Sequence, residues 1–316
     1  MYPQTYREKV NQPYGFSAVT REAMEGYGDS RNFFVNPDHV QATDLGNTGE
    51  NPGLPLATAD AAVTLARAYS GDTIYVMSSN SWQYSTRSQT GIVESLVIPA
   101  TKPGIRIVGV GFGGLPVYWQ PAVTGDFCIS VYALDVVIEN FCFWGDGIAA
   151  NGIYAEWDGV TMMADNVVIR NCVFSDGIDI GIQLEYAWYC VILDCLFDGC
   201  DTVGFMSDTA GSGTSYNKIH DNHFNNCALA MSLLGGADDN FIFRNAIYNS
   251  NAQGAGVATD EGIDTTGGQN NQVYDNYFSC LLTVPANGDY ADLNSSAATD
   301  AWINNHCMNG DTITNP

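Results

Sequence analysis

The chain has 316 residues, 46% of them hydrophobic, with 33 glycines and a formal net charge of −24. A surface this acidic repels phosphate backbones, which excludes nucleic acid as an expected partner. No apolar run approaches the ~20 residues of a membrane span and no secretory h-region opens the chain, so neither a membrane nor an export signal is expected.

The N-terminal segment differs from the rest. Residues 1–32 carry four basic and four acidic side chains, so the remaining 7 basic and 31 acidic residues hold the whole charge. Tyr2, Tyr6, Tyr14, Phe16 and Tyr27 lie in this neutral segment without any repeat. It reads as a docking arm on an acidic, self-repelling body. A loose terminus is the plainer alternative. Residues 33–56 are rich in turn formers. Between about 58 and 70, Ala62, Leu65, Ala66 and Tyr69 recur at helical spacing, with Asp60 at the start and Gly71 at the end, which predicts a capping helix. Gly71-Asp72-Thr73-Ile74-Tyr75-Val76 follows as the expected first strand.

Coils then run from about 72 to 310, and residues 33–316 form one domain. The unit is Val168-Ile169-Arg170-Asn171-Cys172-Val173-Phe174: an apolar residue, an Asn or Asp, and an aromatic three on. Its anchors are Gly109, Asn140, Asn171, Asp194, Asp221, Asn245, Asp275 and Asn305, spaced by 23 to 31 residues. Such a period marks a solenoid. Short β-branched and aromatic runs make strands, and Asn or Asp suits the corner between them. The seven Asn/Asp anchors are therefore expected to stack at one corner, and Phe174, Phe197, Phe224, Tyr248 and Phe278 to stack inward. A further strand opens at Gly152, Gly181, Gly204 and Met231. The predicted class is all-β, a single-stranded right-handed parallel β-helix. The nine cysteines form no C-x-x-C pair, and Cys172, Cys195, Cys200 and Cys227 are locked to the repeat. They read as buried free thiols rather than zinc ligands.

The stretch from Phe34-Val35-Asn36-Pro37 through Pro55-Leu56-Ala57-Thr58 to Gly71–Val76, with the Asn-anchored coils, resembles pectate-lyase-like β-helix proteins. The resemblance covers residues 33 to about 310. That superfamily includes pectate lyases, polygalacturonases, adhesins, phage tailspikes and phage capsid decoration proteins, so it is specific for fold and not for function. The polygalacturonase pattern is matched only by Asp238-Asp239. His220 and His223 are not flanked by glycines and read as structural. Pectate lyases use Arg or Lys as base, and the clear coils hold only Arg170, Lys218 and Arg244.

One constellation could carry chemistry. Glu156, Glu185 and Asp208 each lie four residues after a strand-opening glycine in consecutive coils, which puts neighbours ~5 Å apart. Trp157, Tyr186 and Trp188 lie beside them as candidate stacking surfaces for a sugar ring. Paired carboxylates at that distance suit retaining glycoside hydrolysis. They also suit Ca²⁺, the one cofactor the ladder could take. A solvated acidic stripe with no catalytic or metal role is the bland alternative. A turn group, Asp176, Asp179, Asp198 and Asp201, reads as structural.

The resemblance and the missing catalytic motifs together imply a non-enzymatic bacteriophage virion protein. The expected role is capsid-surface decoration, anchored to the major capsid protein or another virion component by the arm. Assembly in the host cytoplasm and a homo-oligomer, such as a trimer, are expected with it. The alternative is a short tailspike that binds or hydrolyses a bacterial surface polysaccharide.

Overall fold

The computed structural model describes residues 30–77, 91–111, 116–145, 150–160, 163–175, 177–207, 213–248, 262–265, 268–279, 299–307 and 312–313. Their short β-branched and aromatic runs stack into three parallel sheets, named A, B and C here, of ten, ten and seven strands. One coil passes from an A strand through a tight corner to a B strand, then by a turn to a C strand. In the clearest coil these are Val168–Arg170, Val173–Ser175 and Ile178–Glu185. Val191–Leu193, Leu196–Asp198 and Val203–Ser207 repeat them in register one coil on. This is the right-handed parallel β-helix that the repeat predicts.

Two side-chain columns from sheets A and B run through the core, which the inward residues of sheet C complete. Ile138, Ile169, Ile192, Ile219, Ile242 and Val273 of sheet A are fully buried. Phe143, Phe174, Phe197 and Phe224 of sheet B stack at 5.1, 4.8 and 4.4 Å between ring centroids. These rings explain the glycines that open sheet C: a Cβ on Gly181 would lie 2.7 Å from the Phe197 ring and 2.4 Å from the Gly204 carbonyl oxygen. The ring column ends sooner than expected. Phe224 is in register with Ile247, and Ile247 with Phe278. Tyr248 lies one residue off the column and is not part of it.

The corner ladder needs the same correction. The residues that turn the A-to-B corner with left-handed φ of 52–66° are Asn140, Asn171, Asp194, Asp221, Arg244, Asp275 and Asn304. Asn245 and Asn305 therefore do not stack with Asn140, Asn171, Asp194, Asp221 and Asp275. They belong to a second column one position on, with Asn222 and Asn276, all four buried. There each carboxamide oxygen accepts from the backbone N–H of the coil before it, as in Asn222 N to Asn245 Oδ1 (3.0 Å) and Asn245 N to Asn276 Oδ1 (2.9 Å). Each amide nitrogen donates to a core-strand carbonyl, as from Asn245 to Ile219 (2.9 Å). The sequence phrase misleads because Arg244, not Asn or Asp, makes the left-handed turn in that coil.

A like ladder, not foreseen from the repeat, lines the C-to-A corner through Asn217, Asn240, Asn271 and Asp300. All four are buried. At the same positions earlier coils place Val136, Val167 and Cys190.

The front cap is shorter than predicted. The helix is Ala59–Leu65, and its N-cap is Thr58, whose hydroxyl accepts from Ala61 N at 3.2 Å. Asp60 sits inside the first turn, where Glu94 accepts from the Ala59 and Asp60 N–H groups at 3.0 and 2.7 Å. Tyr69 and Gly71 have positive φ and belong to the following turn. The solenoid also opens earlier than Thr73: Asn32–Val35 pairs in parallel with Thr73–Met77. At the other end Thr312–Ile313 runs antiparallel to Asn305–Cys307 and closes sheet B. Tyr2, Tyr6, Tyr14, Phe16 and Tyr27 lie outside the described residues.

Candidate functional site

Sheet C is widest in its middle. Ala150–Glu156 and Ile178–Glu185 have seven and eight residues, against three in Met231–Leu233. Strand alternation fixes what these longer strands show to solvent. Gly152, Ile153, Ala155, Ile182 and Leu184 are buried, while Tyr154, Glu156, Gln183 and Glu185 are half-buried on the outer face. Tyr154 is in register with Gln183, and Glu156 with Glu185.

The Glu156–Glu185 pair thus sits on neighbouring strands, ~4.8 Å apart in the stacking direction. The Tyr154 hydroxyl donates to Glu185. Burial raises the Glu156 carboxyl above the usual carboxylate range; the Tyr154 hydroxyl opposes this, and the Glu185 charge adds to it. Burial, and then the neighbouring Glu185 and Glu156 carboxylates, push the Tyr154 phenol far above its ordinary value. The Tyr132 phenol, on the preceding coil, is raised by burial and by the Glu156 charge.

Aromatic rings flank the pair. Phe127 stacks on Tyr154 at 4.9 Å and 18°. Trp157 meets Tyr186 edge-on at 5.7 Å. Of the predicted residues, Glu156 and Glu185 are therefore brought side by side, and Trp157 and Tyr186, which follow them, meet each other. Trp188 is drawn to the C-to-A corner, where its backbone N–H donates to Asp165 at 2.8 Å and its indole N–H to the Gly213 carbonyl. Asp208 lies outside the described residues; the last registered pair before it is Leu184–Ser207. Phe127, Tyr132 and Tyr154 were not foreseen as part of this face. The alternation Tyr154-Ala155-Glu156 was the available signal, since it places Tyr154 and Glu156 on one side.

The strands of sheet C carry Glu156, Asp179, Glu185 and Asp264, and no Arg, Lys or His. The strand cations lie on sheet A instead. There Arg106 and Arg170 both bind the buried Glu139. Among the described residues, no group of three or more His, Cys, Asp or Glu is placed to hold a metal ion. The other polar candidates have structural work. Asp238 accepts from Gln269 N at 2.8 Å, and Asp239 turns a corner with φ 56°. His220 bonds Asp221 at 2.7 Å and stacks on Phe243 at 4.7 Å. His223 is exposed and faces Tyr248. In the turn group Asp198 accepts from Asn225 at 2.7 Å, and Asp176 lies outside the described residues.

Residues 127–278 match the family model described as "Right handed beta helix region". No curated protein matches the chain significantly. Among solved structures, an alginate lyase from Paenibacillus sp. strain FPU-7 superposes with a TM-score of 0.59 at 14% identity, over 89% of this chain and 97% of the lyase. ORF18 of Geobacillus virus E2 superposes with a TM-score of 0.51 at 12% identity, over 87% of this chain and 60% of the viral one. At such identities the likeness is one of fold. The chain is a right-handed parallel β-helix in fold.

Proposed function

We propose that this β-helix is a virion surface protein that binds an uncharged bacterial polysaccharide on the outer face of sheet C. The observation that carries the reading is the registered Glu156–Glu185 pair, with the Tyr154 hydroxyl on Glu185 and the Phe127 ring stacked on Tyr154; the Trp157 and Tyr186 rings follow at the strand ends. Aromatic faces pack against the apolar side of a sugar ring, and carboxylates accept its hydroxyl hydrogens. With no cation on the strands of that sheet, a polyanion such as alginate or pectin would be repelled. The fold likeness to a viral protein and the acidic, self-repelling body support a virion setting. The neutral arm 1–32 is the segment assigned to dock on the capsid or tail.

Cleavage by the same pair is the second reading, because burial raises the Glu156 carboxyl as a general acid requires, while Glu185 stands beside it as the candidate nucleophile. Calorimetric titration against neutral capsular polysaccharide fragments tests the binding reading. Trp157→Ala and Glu185→Gln should each weaken binding about tenfold, equivalent to ~1.4 kcal/mol. A rise in reducing ends that Glu156→Gln abolishes would replace binding by hydrolysis. Equal affinity of wild type and both variants would remove the site. Deleting residues 1–32 should leave a folded protein that no longer joins the particle.

A further inference from the structure

The described cysteines include two stacked pairs. Cys172 and Cys195 follow the registered residues Arg170 and Leu193 by two positions. Cys200 and Cys227 follow Asp198 and Asn225 in the same way. Members of each pair therefore sit one above the other in consecutive coils, ~4.8 Å apart. That spacing is inside the ~4.4–6.8 Å Cα range of disulfides. All four thiols are buried and free in the structure. Each pair nevertheless lies directly beneath an exposed corner: Asn171 and Asp194 over one, Asp201, Thr202 and Ala228 over the other.

We propose that Cys172–Cys195 and Cys200–Cys227 are two oxidation sites, which close as axial disulfides between neighbouring coils when the protein meets a small-molecule disulfide. One thiolate of the pair attacks the oxidant, forming a mixed disulfide and releasing one small thiolate. The second thiol loses its proton and displaces the other small thiolate, leaving the cysteine–cysteine bond. Two protons and two electrons leave the pair, and one oxidant molecule becomes two thiols. In the second pair Cys227 is the attacking group: the hydrogen bond from Cys200 holds its thiol below the ordinary value, against the effect of burial. The other described cysteines have no registered cysteine neighbour. Cys142 lies between Tyr118 and Val173, and Cys190 follows Trp188 with its N–H on Asn217. Cys128 sits between the registered pairs that flank Gly152.

This inference does not rest on the proposed glycan site. A protein made in a reducing cytoplasm and released outside it would pass between the two states, and the crosslinks would then tie coils that otherwise separate by strand opening. The full chain is purified with reductant, then split between oxidised glutathione added to the native protein and refolding from urea in the same buffer. Non-reducing peptide mapping by mass spectrometry reads the products. Linked Cys172–Cys195 and Cys200–Cys227 peptides, with a higher melting temperature than the reduced protein, are expected in at least the refolded sample. Cys195→Ser and Cys200→Ser should each remove only their own link. Absence of both links in the refolded sample, or links that join other cysteines, would overturn the proposal.

Discussion

The middle coils and the C-terminal coils solve one problem in two ways. Both must fill a buried position just after each left-handed corner. In the middle coils that position holds Cys172, Cys195, Val167 and Cys190, all buried. From Asn217 onward it holds Asn217, Asn222, Asn240, Asn245, Asn271 and Asn276, also buried. The thiols and valine contribute packing. The asparagines add an axial hydrogen-bond chain, because each carboxamide oxygen accepts from the coil before it while its NH₂ donates both to a carbonyl of that coil and to the carboxamide oxygen of the coil after it. The trade is visible in the core. One coil after the asparagines begin, Ile247 replaces phenylalanine in the column for one coil, before Phe278. The C strands also shorten to the three residues of Met231–Leu233 and the two of Ile263–Asp264. Late coils with less apolar surface are held by more polar bonding, and the wide apolar coils carry the candidate site.

The sharpest way to break that comparison is Asn245→Leu. Leucine would orphan the Asn222 N–H and the Ile219 carbonyl, each at about 1–3 kcal/mol. It would also overpack a closed corner by about 1–3 kcal/mol more. The loss in urea unfolding should exceed that of any change at Asn171, whose exposed side chain turns the corner without joining the ladder. Equal losses at the two sites would mean that the ladder adds nothing beyond the turn.

Cys195→Asn approaches the same comparison from the other side. Cys195 N already donates to Asn222 Oδ1 at 2.9 Å, and its sulfur faces the Ile169 carbonyl at 3.9 Å. An asparagine there would extend the ladder by one coil. Stability under reductant should stay within about 1 kcal/mol of wild type, since one new buried hydrogen bond is worth about 0.5–1.5 kcal/mol. A loss of several kcal/mol would show that the early coils admit only a thiol.

These particulars also explain what could be read in advance. The β-helix and the Phe174–Phe197–Phe224 column follow from the phrase alone, because apolar alternation and turn chemistry repeat with every coil. The ladder register did not, because Asn-Asn and Asp-Asn pairs offer two candidate anchors, and only Arg244 at φ 53° shows which member turns the corner. The Glu156–Glu185 pairing was legible from the glycine offsets. The Tyr154 hydroxyl on Glu185 was not, since the sequence places it on the right face without showing which group its side chain reaches.

A pH response with opposite signs is also expected in the two regions. In the early coils Asp135 and Asp165 sit near the C-to-A corner. Burial pushes Asp135 up to about 6, with the Asp165 charge adding and the Asn166 side chain opposing. Burial likewise pushes Asp165 up to about 6, against the Trp188 N–H. In the late coils Arg244 binds Asp221 at 2.8 and 2.6 Å and holds it down to about 2, against burial and with help from His220. An unfolded aspartate titrates at ~3.9. As pH falls from 7 through about 6 toward ~4, the folded protein takes up protons that the unfolded chain does not, so Asp135 and Asp165 make it more stable. Below ~4 the unfolded chain takes up the proton that Asp221 refuses until about 2, so stability falls. The melting temperature should therefore peak on the acid side of neutrality. Asp165→Asn should flatten the limb above the peak, and Arg244→Gln the limb below it. A peak unmoved by either change would mean that other carboxylates set the response and that the two corners do not differ in this respect.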